Sequence, residues 1–234
     1  MDLRGKRALV TGGTRGIGAA IAQRLAGMGA EVVISGRAGS SHRFELWPVD
    51  FADPAATDRF CEDAARARFD VLVNNAGINK IAPFSEIDPD DFDRILRVNL
   101  RAPFRLCQAV LPHMRSMRWG RIVTISSIFG VLSREFRAPY SASKFAVDGM
   151  TAALAAEVAS DGILANCVAP GFIDTELTRS VLGEEGMKAL RERIPAQRLG
   201  TPDEIASYVA WLCSPENTYV SGQNLVIDGG FVRV

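Results

Sequence analysis

The stretch Arg7-Ala8-Leu9-Val10-Thr11-Gly12-Gly13-Thr14-Arg15-Gly16-Ile17-Gly18 decides how the rest of the chain is read. Residues 7–11 form a short apolar run, and the glycines that follow give way to a helical pattern lasting to about Met28. A strand that feeds a glycine-rich turn opening a helix aims backbone N–H groups and the positive end of a helix dipole at one place, which suits a pyrophosphate. Without a strand before it and a helix after it, the same glycines would mean only a turn. Gly29 is a natural helix stop, and residues 31–35 read as the second strand.

Working outward, residues 44–49 read as a third strand, joined to the second by only about eight residues of Gly, Ser and charge. That is too few for the crossover helix a parallel pair normally needs. Residues 55–68 are helical, 70–73 form a buried strand, and Asn74-Asn75-Ala76-Gly77 ends it. A long helical region over 89–117 is expected to bend at Pro103. Residues 121–126 make the fifth strand with Ser127 at its carboxyl end, 138–160 a helix, and 164–168 a strand ending at Ala169-Pro170-Gly171. Residues 175–200 are charged and partly helical, either a mobile cover or a surface helical pair; 202–213 is a helix and 224–227 the last strand. This alternation predicts one α/β domain over residues 1–234, a doubly wound, Rossmann-type parallel sheet of seven strands with helices on both faces. Its ligand should lie beyond the carboxyl ends of the strands, where residues 12–18, 74–77, 127 and 170–171 all fall.

With 234 residues, 47% of them hydrophobic, the chain can bury a full core. Zero formal net charge offers no global field for nucleic acid or an anionic membrane surface, so neither partner is expected. Cys61, Cys107, Cys167 and Cys213 are far apart with no CxxC pair, which suggests neither a metal site nor a disulfide framework. No signal-like apolar run follows the N-terminus and no stretch reaches 18 apolar residues, so the expectation is a soluble cytoplasmic protein. His42 and His113 read as surface residues, which argues against a Ser-His-Asp triad.

Chemistry concentrates in Tyr140-Ser141-Ala142-Ser143-Lys144, with Ser127 upstream. On a helix Tyr140 and Lys144 share a face, and the ammonium is expected to favour the ionised phenol. A phenol so tuned could act as acid or base near neutral pH.

With these residues placed, the chain resembles the short-chain dehydrogenase/reductase family over essentially its whole length. The likeness is carried by TGxxxGxG at 11–18, NNAG at 74–77, Asn99, Ser127, YxxxK at 140–144, Pro170-Gly171 and SGQxLxxDGG at 221–230. It implies that Tyr140 exchanges a proton with a substrate carbonyl or alcohol while hydride moves to or from a nicotinamide. Lys144 would lower the phenol pKa and bind the nicotinamide ribose, Ser127 would hold the reacting oxygen, and Asn99, interrupting a helix, would support a water relaying protons to Lys144. The resemblance further implies that Gly12, Thr14, Arg15, Gly16, Ile17 and Gly18 face the pyrophosphate. Asp50 and Phe51, with Asn75, Ala76 and Gly77, would lie along the adenine, and Pro170, Gly171, Ile173 and Thr175 at the carboxamide and phosphate end. It also implies a homotetramer, or a dimer, built on the helices after Lys144 and around Asn99.

Charge argues the cofactor choice. Selectivity for the unphosphorylated cofactor usually needs an acid after the second strand; here Ser35 takes that place, followed by Gly36 and Arg37, with Arg15 nearby. NADP(H) is therefore expected over NAD(H). Within the family the chain most resembles 3-oxoacyl-acyl-carrier-protein reductases. Arg118 matches one cation expected to dock the acidic carrier, but Asp161 stands where a second is expected. The segment 128–139 is more charged than is usual in acyl reductases, and its Arg134-Glu135 pair is similar to that of gluconate 5-dehydrogenases. The alternative is thus a small sugar-acid or polyol substrate bordered by Ser127, Phe129, Arg134, Tyr140 and Phe172, with Arg137 or Lys80 assisting. A reading of another class, a non-catalytic dinucleotide sensor or scaffold, is disfavoured by the presence of Asn99, Ser127, Tyr140 and Lys144 together.

Overall fold

The computed structural model describes residues 1–37 and 43–233; within one helix the side chains of residues 177 and 180–182 are not described. Seven parallel strands form one sheet: β1 (Arg7–Val10), β2 (Glu31–Gly36), β3 (Glu45–Pro48), β4 (Val71–Asn74), β5 (Gly120–Ile125), β6 (Ile163–Pro170) and β7 (Asn224–Ile227). Their order across the sheet is β3-β2-β1-β4-β5-β6-β7. The order reverses between β1 and β4, so a crevice opens there beyond the strand ends.

Each strand alternates its side chains between the two faces. Val10, Ile34, Val73, Val123 and Val168 face one layer, where α1 (Gly16–Gly27) contributes Ile21 and Leu25. The last long helix on that side, which becomes α7 (Pro202–Cys213), adds Ile205, Val209 and Leu212. Leu9, Val33, Leu72 and Ile122 face the other layer. There they meet Phe60 of α2 (Pro54–Ala67), then Leu106, Val110 and Met114 of α4 (Ala102–Met117), which continues from α3 (Pro89–Leu96). Val158 of α5 (Ala138–Val158) completes that layer. Over the carboxyl edge lies α6 (Glu176–Arg193), broken at Gly183, where φ is +62°.

Two expectations need correction. The helical region 89–117 is not bent at Pro103; it is interrupted by a π-helical turn at Arg97–Arg101, in which the Ala102 N–H donates to the Arg97 carbonyl. Pro103 follows directly on that turn, at the second position of α4. His113 is not a surface residue: its side chain is 17% exposed and Nε2 lies 3.5 Å from Asp70 Oδ1, at the amino end of the sheet. His42 and the loop 38–42 lie outside the described residues. All four cysteines are free and buried, and burial pushes their thiols up, Cys107 and Cys213 to about 12. No described helix is long and apolar enough to cross a membrane.

Candidate active site

The two turns flanking the crevice are fastened to each other. Thr11 Oγ1 accepts from the N–H of Asn75 at 2.9 Å and of Ala76 at 3.0 Å, and Asn75 Nδ2 donates to the Thr11 and Gly12 carbonyls at 2.9 and 3.1 Å. A Cβ on Gly18 would overlap the Gly12 carbonyl, and Gly12 itself has φ of +64°. Only glycine lets the turn fold this tightly against the start of α1. Arg15, the residue before α1, makes no side-chain cap, and the first turn carries no acid. The first N–H groups of α1 are thus left for an anion, which fits the pyrophosphate of a dinucleotide. Thr14, Arg15 and Gly16 are exposed there, and Thr175 Cγ2 lies 3.7 Å from where a Gly16 Cβ would be.

Several expected cofactor contacts are relocated. Ser35 is fully buried, its Oγ 3.4 Å from the Gly12 N–H and its carbonyl accepting from Gly13 N–H at 3.0 Å. It braces the turn and presents no side chain to the crevice. Because β2 runs on through Gly36, the position after the strand belongs to Arg37, which is exposed. Phe51 is a core residue, its ring 5.3 Å from that of Phe60, so only its backbone is offered. Asp50 is exposed, with Oδ1 accepting from Ala52 N–H at 3.0 Å. Ile173 is likewise buried by its side chain, paired through its backbone with Gly200. Pro170 ends β6, and the Gly171 N–H donates to Ile227 at 2.9 Å.

Beyond β5 the chemistry-bearing side chains converge. Ser127, 8% exposed, accepts from Phe129 N–H at 3.1 Å and so closes a one-turn helix, residues 128–130, against α5. On α5, Lys144 Nζ donates to the Ile125 carbonyl at 2.7 Å and lies 5.5 Å from the centroid of the Tyr140 ring. Asn99, on the π turn, donates to the Ile78 carbonyl at 2.9 Å and to Ser143 Oγ at 3.0 Å, while its Oδ1 accepts from Ile78 N–H at 2.9 Å. Ser143 in turn donates to the Tyr140 carbonyl at 2.7 Å. A Cβ on Gly77 would sit 3.5 Å from Asn99 Oδ1 and 3.8 Å from Lys144 Nζ, so the carboxyl end of β4 meets both.

The electrostatics differ from the sequence expectation. Desolvation raises the Tyr140 phenol above its ordinary range; a hydrogen bond with Ser127 and the charge of Arg137 oppose the rise. The Lys144 ammonium, 5.5 Å from the Tyr140 ring, is itself brought down to about 8 by burial.

The substrate side is aromatic. Tyr140, Phe129, Phe172 and Phe231 follow one another edge to face, with centroids 6.4, 6.3 and 5.1 Å apart. Met187, Leu190, Ile194 and Leu199 pack behind Phe172 and Phe231, which places α6 and the segment after it over this wall. Arg134 is tied to Glu135 at 2.8 Å and Lys80 to Asp91 at 3.2 Å, both at the exposed rim.

A family model described as Enoyl-(Acyl carrier protein) reductase matches residues 12–232. Curated relatives include the 3-oxoacyl-(acyl-carrier-protein) reductases FabG of Salmonella typhimurium and Escherichia coli, each 40% identical over 248 aligned residues, covering all of both chains. The chain belongs to the short-chain dehydrogenase/reductase family. Among solved structures, a candidate NAD(P)-dependent gluconate 5-dehydrogenase from Beutenbergia cavernae with bound NADP superposes at a TM-score of 0.93, 37% identical, covering 100% of this chain and 99% of that one. A gluconate 5-dehydrogenase from Burkholderia cenocepacia, in complex with NADP and tartrate, gives 0.91 at 38% identity, covering 100% and 97%. As a short-chain dehydrogenase/reductase the protein is an NAD(P)(H)-dependent oxidoreductase interconverting a carbonyl and a secondary alcohol.

The sequence reading gave Thr11, Gly13, Ser126 and Ser143 no role of their own. Thr11 could have been suspected as a polar residue closing an apolar strand, and Ser143 from its place three after Tyr140. Ser126 Oγ, 3.3 Å from the Lys144 carbonyl, leaves no such signal.

Proposed function

We propose that the protein is an NADP(H)-dependent reductase and dehydrogenase whose substrate is a small, polar keto or hydroxy acid, in the manner of the gluconate dehydrogenases it resembles. The bound dinucleotide supplies hydride. Tyr140, kept protonated at neutral pH by burial, donates its phenolic proton to the carbonyl oxygen during reduction. Ser127 orients that oxygen by hydrogen bonding. Lys144 and Asn99 hold the phenol and the crevice floor in register, both close to Gly77 at the end of β4. Alcohol oxidation needs the phenolate, so its rate should climb with pH while ketone reduction should not.

The observation that carries the substrate class is at the carrier-docking face. Arg118 donates to Asp161 at 3.0 Å, and Arg115 does the same from α4 at 3.0 Å. A cation already engaged by a carboxylate steers an acidic carrier protein weakly. The second reading, a 3-oxoacyl-(acyl-carrier-protein) reductase, is favoured by the 40% identity with the FabG relatives.

The NADP(H) preference is argued from Arg15 and Arg37, both exposed beside the glycine-rich turn, with no ion pair to a carboxylate among the described residues. Loss of NADPH absorbance with 5-ketogluconate, run beside acetoacetyl-CoA, tests the reading. Turnover of the sugar acid supports it, and turnover of the thioester alone replaces it with the second. A homotetramer in the cytoplasm is proposed on the family pattern, with α4 and α5 forming one interface.

A further inference from the structure

Three cations sit near the mouth of the site, and two are already paired: Arg134 with Glu135 and Lys80 with Asp91. Arg137 is different. Among the described residues no carboxylate lies within ion-pair distance of it, and no hydrogen bond engages its side chain. Its guanidinium is partly buried and lies over the ring of Phe129, 5.3 Å from the centroid. Phe129 is two residues past Ser127, and its ring abuts Tyr140 on one side and Phe172 on the other. Arg137 also precedes α5, a 21-residue helix with no side-chain cap and no acid in its first turn, so the positive end of that dipole adds to the same potential. Glu135, the nearby carboxylate whose charge reaches Arg137, is paired with Arg134, so this planar, partly desolvated cation beside the reacting groups leaves its fork of donors for an incoming carboxylate.

We propose that Arg137 selects a carboxylate-bearing substrate, holding the acid group against the Phe129 face while Ser127 and Tyr140 address the carbonyl. Burial lowers the guanidinium's pKa, which marks the cost of leaving it unpaired, and an anion would relieve that cost. Arg134 then contributes only a rim pair. The inference rests on the hydroxy-acid reading above.

The test compares 5-ketogluconate with its methyl ester, using the full-length protein and NADPH. Wild type should prefer the acid in kcat/KM by about 30-fold, the range of a charge-assisted bidentate pair. Arg137→Gln should erase that preference by raising KM for the acid, with kcat within about threefold and the ester unaffected; Arg137→Lys should recover part of it, and Arg134→Gln should change KM by less than twofold. These thresholds follow from the difference between a desolvated and an exposed pair. An Arg137→Gln enzyme that still prefers the acid as wild type does overturns the inference alone. A wild type that reduces acetoacetyl-CoA and not the acid overturns the function reading and this one with it.

Discussion

Lys144 is 4% exposed, and its Nζ is bonded to the Ile125 carbonyl, with no carboxylate paired to it among the described residues. Its pKa falls from 10.5 to about 8, so below pH 8 the folded state carries a charge that the solvated unfolded chain holds more cheaply. Between about 8 and 10.5 the folded protein binds fewer protons than the unfolded one, and stability from this residue rises with pH; above 10.5 the penalty is gone. Lys144→Met should therefore stabilise the protein by about 2 kcal/mol at pH 7, after allowing for the orphaned carbonyl, while abolishing turnover. Thermal unfolding should show the gain shrinking toward pH 10; a gap independent of pH would refute the assignment. Tyr140→Phe should cost about a thousandfold in kcat yet leave NADPH binding within a few-fold, read by fluorescence titration. Arg37→Ala should raise KM for NADPH about tenfold and leave that for NADH unchanged. The Tyr140–Lys144 spacing was readable because one helical turn makes it a contact. Ser35 was misplaced because nothing local shows that β2 continues one residue further, which turns the serine under the glycine-rich turn and hands its position to Arg37.

At the scale of elements, the family resemblance implied an interruption of the helix at Asn99, but its form, a π turn at Arg97–Arg101, leaves no mark in the sequence. A proline announces where a helix can break, and Pro103 drew the expected bend; a π turn has no obligatory residue and is set by what its side chains can reach. Here the reach is Asn99, which bonds both backbone groups of Ile78 and the hydroxyl of Ser143. It thereby ties the loop after β4 to the first turns of α5. Asn99→Ala should destabilise the fold by about 2–3 kcal/mol, since buried partners lose their bonds, and should lower kcat more than it raises KM for NADPH. Amide hydrogen exchange at Ile78 would speed up if the tie is as drawn; unchanged protection there would mean the loop is held by something else. By contrast α7 matched its expected limits, because Thr201 and Glu204 form a capping box that is visible as spacing alone.

For the whole molecule, strand–helix alternation was enough to foretell a parallel doubly wound sheet, and the rule that ligands gather at the carboxyl edge was enough to bring residues 12–18, 74–77, 127 and 170–171 together. Alternation says nothing about which surfaces remain for other copies of the chain. On α4 and α5, Phe104, Met117 and Phe145 are large apolar side chains left exposed, and the buried side chains of both helices are already spent on the sheet. Phe145 is next to Lys144, so an interface there would also stiffen the helix that carries Tyr140. A D2 tetramer of four 25.3-kDa chains is the arrangement that family resemblance and these patches favour. Phe145→Glu places a charge at the middle of that face, where it would be desolvated on assembly. Sedimentation velocity at about 10 μM should then show dimers in place of tetramers, with kcat falling as α5 loses its support. A variant that still sediments as a tetramer would put the assembly on another surface, and full activity in a dimer would show that α5 is held by the sheet alone.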